Sequence, residues 1–268
     1  MDPEDVEALG EALKKTMSKA SGSELDKALT ELGWLDVLTA LPDLAIPLVF
    51  QLLGETGAHA PVINDVVLNA AGRPPGGTVP LPFAGGSWVV WERADQITGA
   101  LDAELPIHRA ASGEPGAPPA CGGLPLVAAR VALGWWLVGT GRAMLSLARQ
   151  HALDRVQFGR PVASFQAVRH RLAETFVAIE GAEATLRAAT DDFGSLLAKA
   201  AAGEAALTAA KHCQQVLGGI GFTAEHDLHR HLRRALVLDG LIGSARELTR
   251  EAGSRLIAGG SAPRLVDL

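Results

Sequence analysis

From Leu124 to Gln150 the chain has no aspartate or glutamate, and its first part, LPLVAARVALGWWLVGTG, is almost wholly apolar. A helix that is apolar on every side has two homes, a membrane or the centre of a helical bundle. Arg130 lies inside the run, and the pattern continues unbroken into the amphipathic RAMLSLARQHALDR. A charge at that depth in lipid is expensive, so the segment is expected to be the buried helix of a bundle and the chain not to cross a membrane.

The segments that follow supply the neighbours such a helix needs. Phe165, Val168, Leu172, Phe176, Ile179, Ala182 and Leu186 recur at steps of three and four, which predicts one apolar stripe on a helix packed against antiparallel neighbours. An alanine-rich helix is expected from Ser195 to Leu217, stopped by Gly218-Gly219. Two more are expected over Asp227–Leu238 and Ser244–Ala258, the last ended by Gly259-Gly260. Residues 124–268 therefore read as a four-helix-type bundle domain.

The first part of the chain is helical as well. Asp2-Pro3-Glu4 gives an N-cap, a proline at the first helical position and an acid in the first turn. Further apolar segments up to Gly72 complete a small N-terminal helical bundle, residues 1–72. Composition then changes: residues 73–123 are rich in glycine and proline, and their apolar pieces, TVPLPF and SWVVWE, are short and β-like. They predict a reduced β domain followed by a linker over Ala111–Gly123. The fold class is mainly α, ordered as helices, small β insert, long helices.

Several functions are excluded early. The chain is 48% hydrophobic and 20% charged, as a folded globular protein is. Its net charge is −6 and no basic run stands out, so nucleic acid is not an expected partner. The acidic start MDPEDVEALG lacks the order of a signal peptide. The two cysteines, Cys121 and Cys213, have no metal spacing and fit reduced thiols in the cytoplasm. In HDLHRHLRR, His229 and His231 are two apart on a helix and face different ways, so no metal site is expected.

Two stretches carry chemistry. DRVQFGRPVASFQ, Asp154 to Gln166, joins two long helices and holds an arginine, amides and an aromatic at its turn. QQVLGGIGF, Gln214 to Phe222, ends another long helix with amides before a diglycine. An arginine grips a pyrophosphate in bidentate fashion, amides read an adenine edge, and glycines admit a ligand close to backbone. Together they point to a nucleotide cofactor held against helix ends.

RVQFGRPVASFQAVRHRLAE followed by QQVLGGIGFTAEHDLHRHLRRA resembles the C-terminal helical domain of the acyl-CoA dehydrogenase flavoproteins, over about Leu124 to Ala258. The resemblance implies FAD, bound across a subunit interface. On it, Arg155 clamps the pyrophosphate, Gln157 hydrogen-bonds, Phe158 forms an apolar wall and Gln166 lies near the dinucleotide. Gln215 and Gly219 contact the adenine end, and Gly218 permits close approach. The resemblance also implies an acyl-CoA substrate oxidised between its α and β carbons, with electrons leaving to an electron-transfer flavoprotein.

The family's base is a glutamate. Counted without gaps from GGIGF, one family position for it falls on Ile242, and the other falls at about Ala129. Neither is a carboxylate, so no catalytic residue is assigned. The chain resembles the shorter subunits of actinobacterial two-component enzymes, assembled as α2β2 tetramers. The partner it implies is a larger acyl-CoA dehydrogenase subunit carrying the catalytic glutamate. Two alternatives remain open on the sequence: a self-sufficient homo-oligomer using Asp239 as base, and a non-enzymatic scaffold of the same fold.

Overall fold

The computed structural model describes residues 2–94, 100, 104–110 and 123–261. The linker assigned to residues 111–123 lies outside them except for Gly123, and Cys121 lies outside them too. The N-terminal part folds as α1 (Pro3–Met17), α2 (Ser23–Glu31), α3 (Trp34–Ala40), α4 (Pro42–Thr56) and α5 (Ile63–Ala70). Asp2 caps α1 reciprocally with Asp5, and Pro3 opens the helix. α4 runs straight through Pro47.

The β element is an antiparallel sheet of β1 (Pro80–Phe83), β2 (Ser87–Trp91) and β3 (Ile107–Arg109), in that order. Leu81 pairs with Val89 and Val90 with His108. The β1–β2 turn is made by Gly85 and Gly86 at φ +77° and +74°.

The C-terminal part consists of α6 (Val127–Asp154), α7 (Gln166–Ala188), α8 (Asp192–Leu217), α9 (Leu228–Gly240) and α10 (Ala245–Gly259). α8 is the axial helix, packed by α6, α7, α9 and α10. Its alanines make this possible: Ala198, Ala202, Ala205, Ala206 and Ala209 are all buried, and small side chains let neighbours approach on several sides. α6 is the membrane-length helix of the sequence, and 67% of its most apolar window is buried inside the protein. It meets α7 and α8 on one side and α4 on the other.

The three parts share one hydrophobic core. An aromatic column runs through it, from Trp34 to Phe50 (6.2 Å), Phe50 to Trp136 (5.6 Å) and Trp136 to Trp91 (5.4 Å, stacked). It links α3, α4, α6 and β2. Arg93 adds a polar tie, donating to Asp26 on α2 and Asp65 on α5.

The apolar stripe of α7 is shifted from the expected one. Thr175, Ile179, Ala182 and Leu186 face the core, whereas Phe176 is 54% exposed. The Thr175 hydroxyl meets Nδ1 of His212 on α8 at 3.1 Å, so the line of contact passes through 175 rather than 176.

Candidate functional site

One end of the bundle collects both sequence motifs. α6 ends at Asp154 and α7 starts back from Gln166. His212, near the end of α8, contacts Thr175 at 3.1 Å and Arg171 at 2.9 Å, which sets the last turns of α8 beside the first turns of α7. The 154–166 segment, Gln166, Gln215 and the 3-10 turn Gly218–Phe222 therefore occupy the same end. His226 reaches it as well: the His151 pKa is lowered by burial first, then by His226 and by Arg155.

The segment between α6 and α7 is a small hairpin of β4 (Val156–Gln157) and β5 (Arg160–Pro161), with Gln157 opposite Arg160. Its turn residues, Phe158 and Gly159, both have positive φ, +54° and +75°. Two left-handed residues in sequence suit a two-residue hairpin, because their twist matches that of the strands. Glycine takes this conformation freely; phenylalanine takes it at a cost of about 1–2 kcal/mol. Phe158 is nonetheless 92% exposed. Arg155 is exposed, and no hydrogen bond or ion pair of its guanidinium occurs among the described residues. Gln157 donates to its neighbour's carbonyl, Val156 O, at 2.7 Å.

Gln166 and Gln215 are exposed at the two helix ends. α8 stops at Gly218, φ +65°. A Cβ added at Gly218 or Gly219 would meet nothing within 4 Å, so open space lies in front of both. Packing does not require glycine at 219; an approaching ligand would. An unpartnered guanidinium, two exposed amides and an open diglycine fit an anionic dinucleotide such as FAD.

The two positions considered for a base are closed. Ala129 is fully buried in α6. Ile242 is 3% exposed and sits at φ +59°, and its N–H donates to Pro82 O on β1 at 2.7 Å. The turn around it is tied down from several sides. Leu241 bridges to Phe83, and Gly240 lies so close to the Phe83 ring that a Cβ there would come within 2.6 Å of it. Lys199 on α8 is fully buried and donates from Nζ to Asp239 O at 2.7 Å and Gly243 O at 2.5 Å. Burial brings its pKa down to about 7; Arg130 adds to this, and Asp239 and Glu247 act against it.

The Asp239 carboxylate is already employed. It accepts the Ala245 N–H at 2.9 Å, at the start of α10, and rests against Gly203 of α8. We expect Asp239→Asn, which keeps an acceptor oxygen, to change stability by less than about 0.5 kcal/mol and Asp239→Ala to lose about 1 kcal/mol with the hydrogen bond to Ala245 N–H. Denaturant midpoints of the two variants check this, and equal losses would contradict it.

Lys199 escaped the sequence reading, which had no local reason to bury it. One signal was available: between Asp192 and Glu204 it is the only charged residue of an otherwise apolar or small helix segment. Cys213 is buried and its thiol is pushed up to about 12, so it is inert. Among the described residues no group of three His, Cys, Asp or Glu side chains could hold a metal ion.

The part of the chain that carries both motifs has counterparts among known proteins. Residues 124–255 match the family described as acyl-CoA dehydrogenase, C-terminal domain. The chain belongs to the acyl-CoA dehydrogenase family. Among its curated relatives is acyl-CoA dehydrogenase FadE34 of Mycobacterium tuberculosis, 36% identical over 213 residues, which are 73% of this chain and 30% of that protein. Acyl-CoA dehydrogenase IpdE2 of the same organism is 39% identical over 122 residues, 44% of this chain and 38% of that one. The matched part thus spans well under half the length of these relatives. Among solved structures, glutaryl-coenzyme A dehydrogenase with glutaryl-CoA aligns at TM-score 0.71 and 15% identity, over 98% of this chain and 96% of that one. The ChsE4-ChsE5 complex of Mycobacterium tuberculosis aligns at TM-score 0.63 and 21% identity, over 98% and 99%. At these identities the likeness is one of fold: the whole described chain, N-terminal helices and sheet included, has the acyl-CoA dehydrogenase fold.

Proposed function

We propose that this chain is the non-catalytic subunit of an FAD-dependent acyl-CoA dehydrogenase, completing the FAD site of a partner that carries the base. The observation that carries this reading is the hairpin. A phenylalanine held at positive φ and 92% exposed stands beside an arginine whose guanidinium has no hydrogen bond or ion pair among the described residues, so both present their groups outward. It is built to meet another molecule. Arg155 would grip the pyrophosphate, with Gln157, Phe158, Gln166, Gln215, Gly218 and Gly219 around the rest of the dinucleotide.

The second support is chemical. FAD, when bound, supplies the acceptor for the hydride removed in α,β-dehydrogenation of an acyl-CoA thioester. Proton removal needs a carboxylate in reach of the substrate. Here Ile242 and Ala129 are buried hydrocarbons, and the Asp239 carboxylate is engaged by the Ala245 N–H. The base must then come from another unit, the larger subunit of an α2β2 assembly. FadE34 fits such an arrangement: one stretch is 73% of this chain but 30% of FadE34, so FadE34 is more than twice as long and has room for a second unit of this size. The ChsE4-ChsE5 structure is itself a complex of two named components. An electron-transfer flavoprotein would take the electrons onward.

Co-production with a base-bearing acyl-CoA dehydrogenase subunit tests the reading. The expected result is a mixed oligomer with about one FAD per unlike pair, and little flavin on this chain alone. Arg155→Ala should then weaken FAD binding about 10- to 100-fold, the worth of a charge-assisted contact. Full flavin occupancy and acyl-CoA oxidation by a homo-oligomer of this chain would overturn it.

A further inference from the structure

The hairpin that carries Arg155 and Phe158 is too small to hold its own shape. It has two paired residues per strand, all exposed. Isolated two-stranded ribbons are marginal even when longer. The backbone ties it to the helices through Arg155 N to His151 O, 2.9 Å, and Val162 N to Arg155 O, 2.8 Å. Neither bond reaches the turn, where Phe158 is strained.

A side-chain stack does reach it. The Arg160 guanidinium lies over the Phe165 ring, 4.3 Å from its centroid. The Phe158 ring meets the same Phe165 ring edge-on, centroids 6.2 Å apart at 81°. Phe165 is the N-cap residue of α7, so its backbone is set by the start of that helix rather than by the hairpin. Arg160 and Phe158 thus flank the turn on both sides of Gly159, and both rest on one ring, carried by the residue that starts α7. Their two contacts oppose the relaxation of Phe158 out of the left-handed region.

We propose that Arg160 is a positioning residue of the cofactor clamp, which through Phe165 holds Phe158 and Arg155 in the geometry they present. This rests on the FAD reading given above. Arg160 does its work in the unliganded chain, by pre-organising the hairpin and so lowering the ordering cost of binding. It is not itself the phosphate ligand; that is Arg155.

A double-mutant cycle separates the two roles. FAD binding would be titrated on the protein in complex with its base-bearing partner, for wild type, Arg160→Ala, Phe165→Leu and the double variant. An exposed cation–π contact implies a loss of about 3- to 5-fold for each single change. The double variant should lose no more than the larger single one. Arg160→Lys, which keeps a cation over the ring, should recover most of the affinity. If the losses multiply, Arg160 touches the ligand by itself and the proposal falls.

Hydrogen exchange of the chain alone gives a readout that needs no flavin. The amides of residues 157–160 and 162 should exchange faster in Arg160→Ala and in Phe165→Leu, and those of α6 and α8 should not. Unchanged hairpin exchange would overturn the proposal even if FAD affinity fell. Wild type that binds no FAD with any partner, but loses hairpin protection in Arg160→Ala, would sink the FAD reading and leave the brace standing.

Discussion

Gly139→Ala is expected to destabilise the protein by more than about 3 kcal/mol, a large part of the roughly 5–15 kcal/mol by which folded domains are stable. A Cβ at 139 on α6 would lie 2.1 Å from Gln51 O and 3.1 Å from the Gly54 Cα on α4. The relation is reciprocal. A Cβ at Gly54 would lie 2.4 Å from both Thr140 N and Trp136 O. Every one of these neighbours is backbone, so no side chain can swing aside. The helices would have to separate, and that would open the aromatic contacts of Phe50 and Trp136 beside the crossing. Gly181→Ala is the control. Gly181 is exposed on α7 and a Cβ there meets nothing within 4 Å. Alanine should stabilise that helix by roughly 0.5–1 kcal/mol. Denaturant midpoints at unchanged m decide the matter. Similar effects of the two alanines would show that the α4–α6 crossing is looser than described.

Lys199→Met should remove a pH dependence of stability that wild type shows between pH 7 and 10.5. In the folded protein burial lowers the Lys199 pKa from 10.5 to about 7. Between those values the unfolded chain keeps a proton that the folded chain has released. Unfolding then takes up a proton, so stability from this group rises with pH, by up to about 1.4 kcal/mol per pH unit. Below pH 7 both states are protonated and the contribution is flat, at its least favourable. The neutral amine still has two N–H donors for Asp239 O and Gly243 O, so the tie survives loss of the charge. Methionine would leave both carbonyls without that donor, at about 1–3 kcal/mol for each one that water does not reach. The stability gap between wild type and Lys199→Met should therefore widen from the acid to the alkaline end of the window. Parallel profiles would mean that the buried amine does not titrate there.

These two effects differ in how far the sequence foretold them. That α6 is buried was legible, because a helix without acids and with apolar residues on every side has nowhere else to go. That its Gly139 meets Gly54 was not, since nothing near either residue names the other. Much of the candidate site was visible as motifs: the arginine, amides and glycines at two helix ends. Their gathering at one end of the bundle needed the antiparallel run of α7 beside α8. Arg160 carries no comparable signal, because a second arginine at a turn has an ordinary reading as a solvated charge. Its stack on Phe165 exists only once the hairpin folds back on α7.

Smaller departures have the same origin. Helix α8 begins at Asp192 rather than Ser195, because Asp191 caps Gly194 N at 2.6 Å and adds part of a turn. α3 and β3 were not expected at all; both are short, and α3 follows Gly33 in the left-handed region, where a stop and a new start look alike. On α7, residues 175 and 176 are equally placed to continue the stripe from Leu172. The choice of Thr175 comes from His212 across the interface.

The sequence by itself determined the order of the parts, the long helices and their glycine stops at Gly218 and Gly260, and the lack of a carboxylate at either position for a base. Those features rest on periodicity, caps and residue identity, which act within a few residues. Only the tertiary structure decided which face of α7 is covered, that Lys199 is buried, that Ile242 takes a left-handed conformation pinned to β1, and that Phe158 is held outward. Each of these is set by a residue distant in the chain, brought near by packing, and no local pattern encodes such a neighbour.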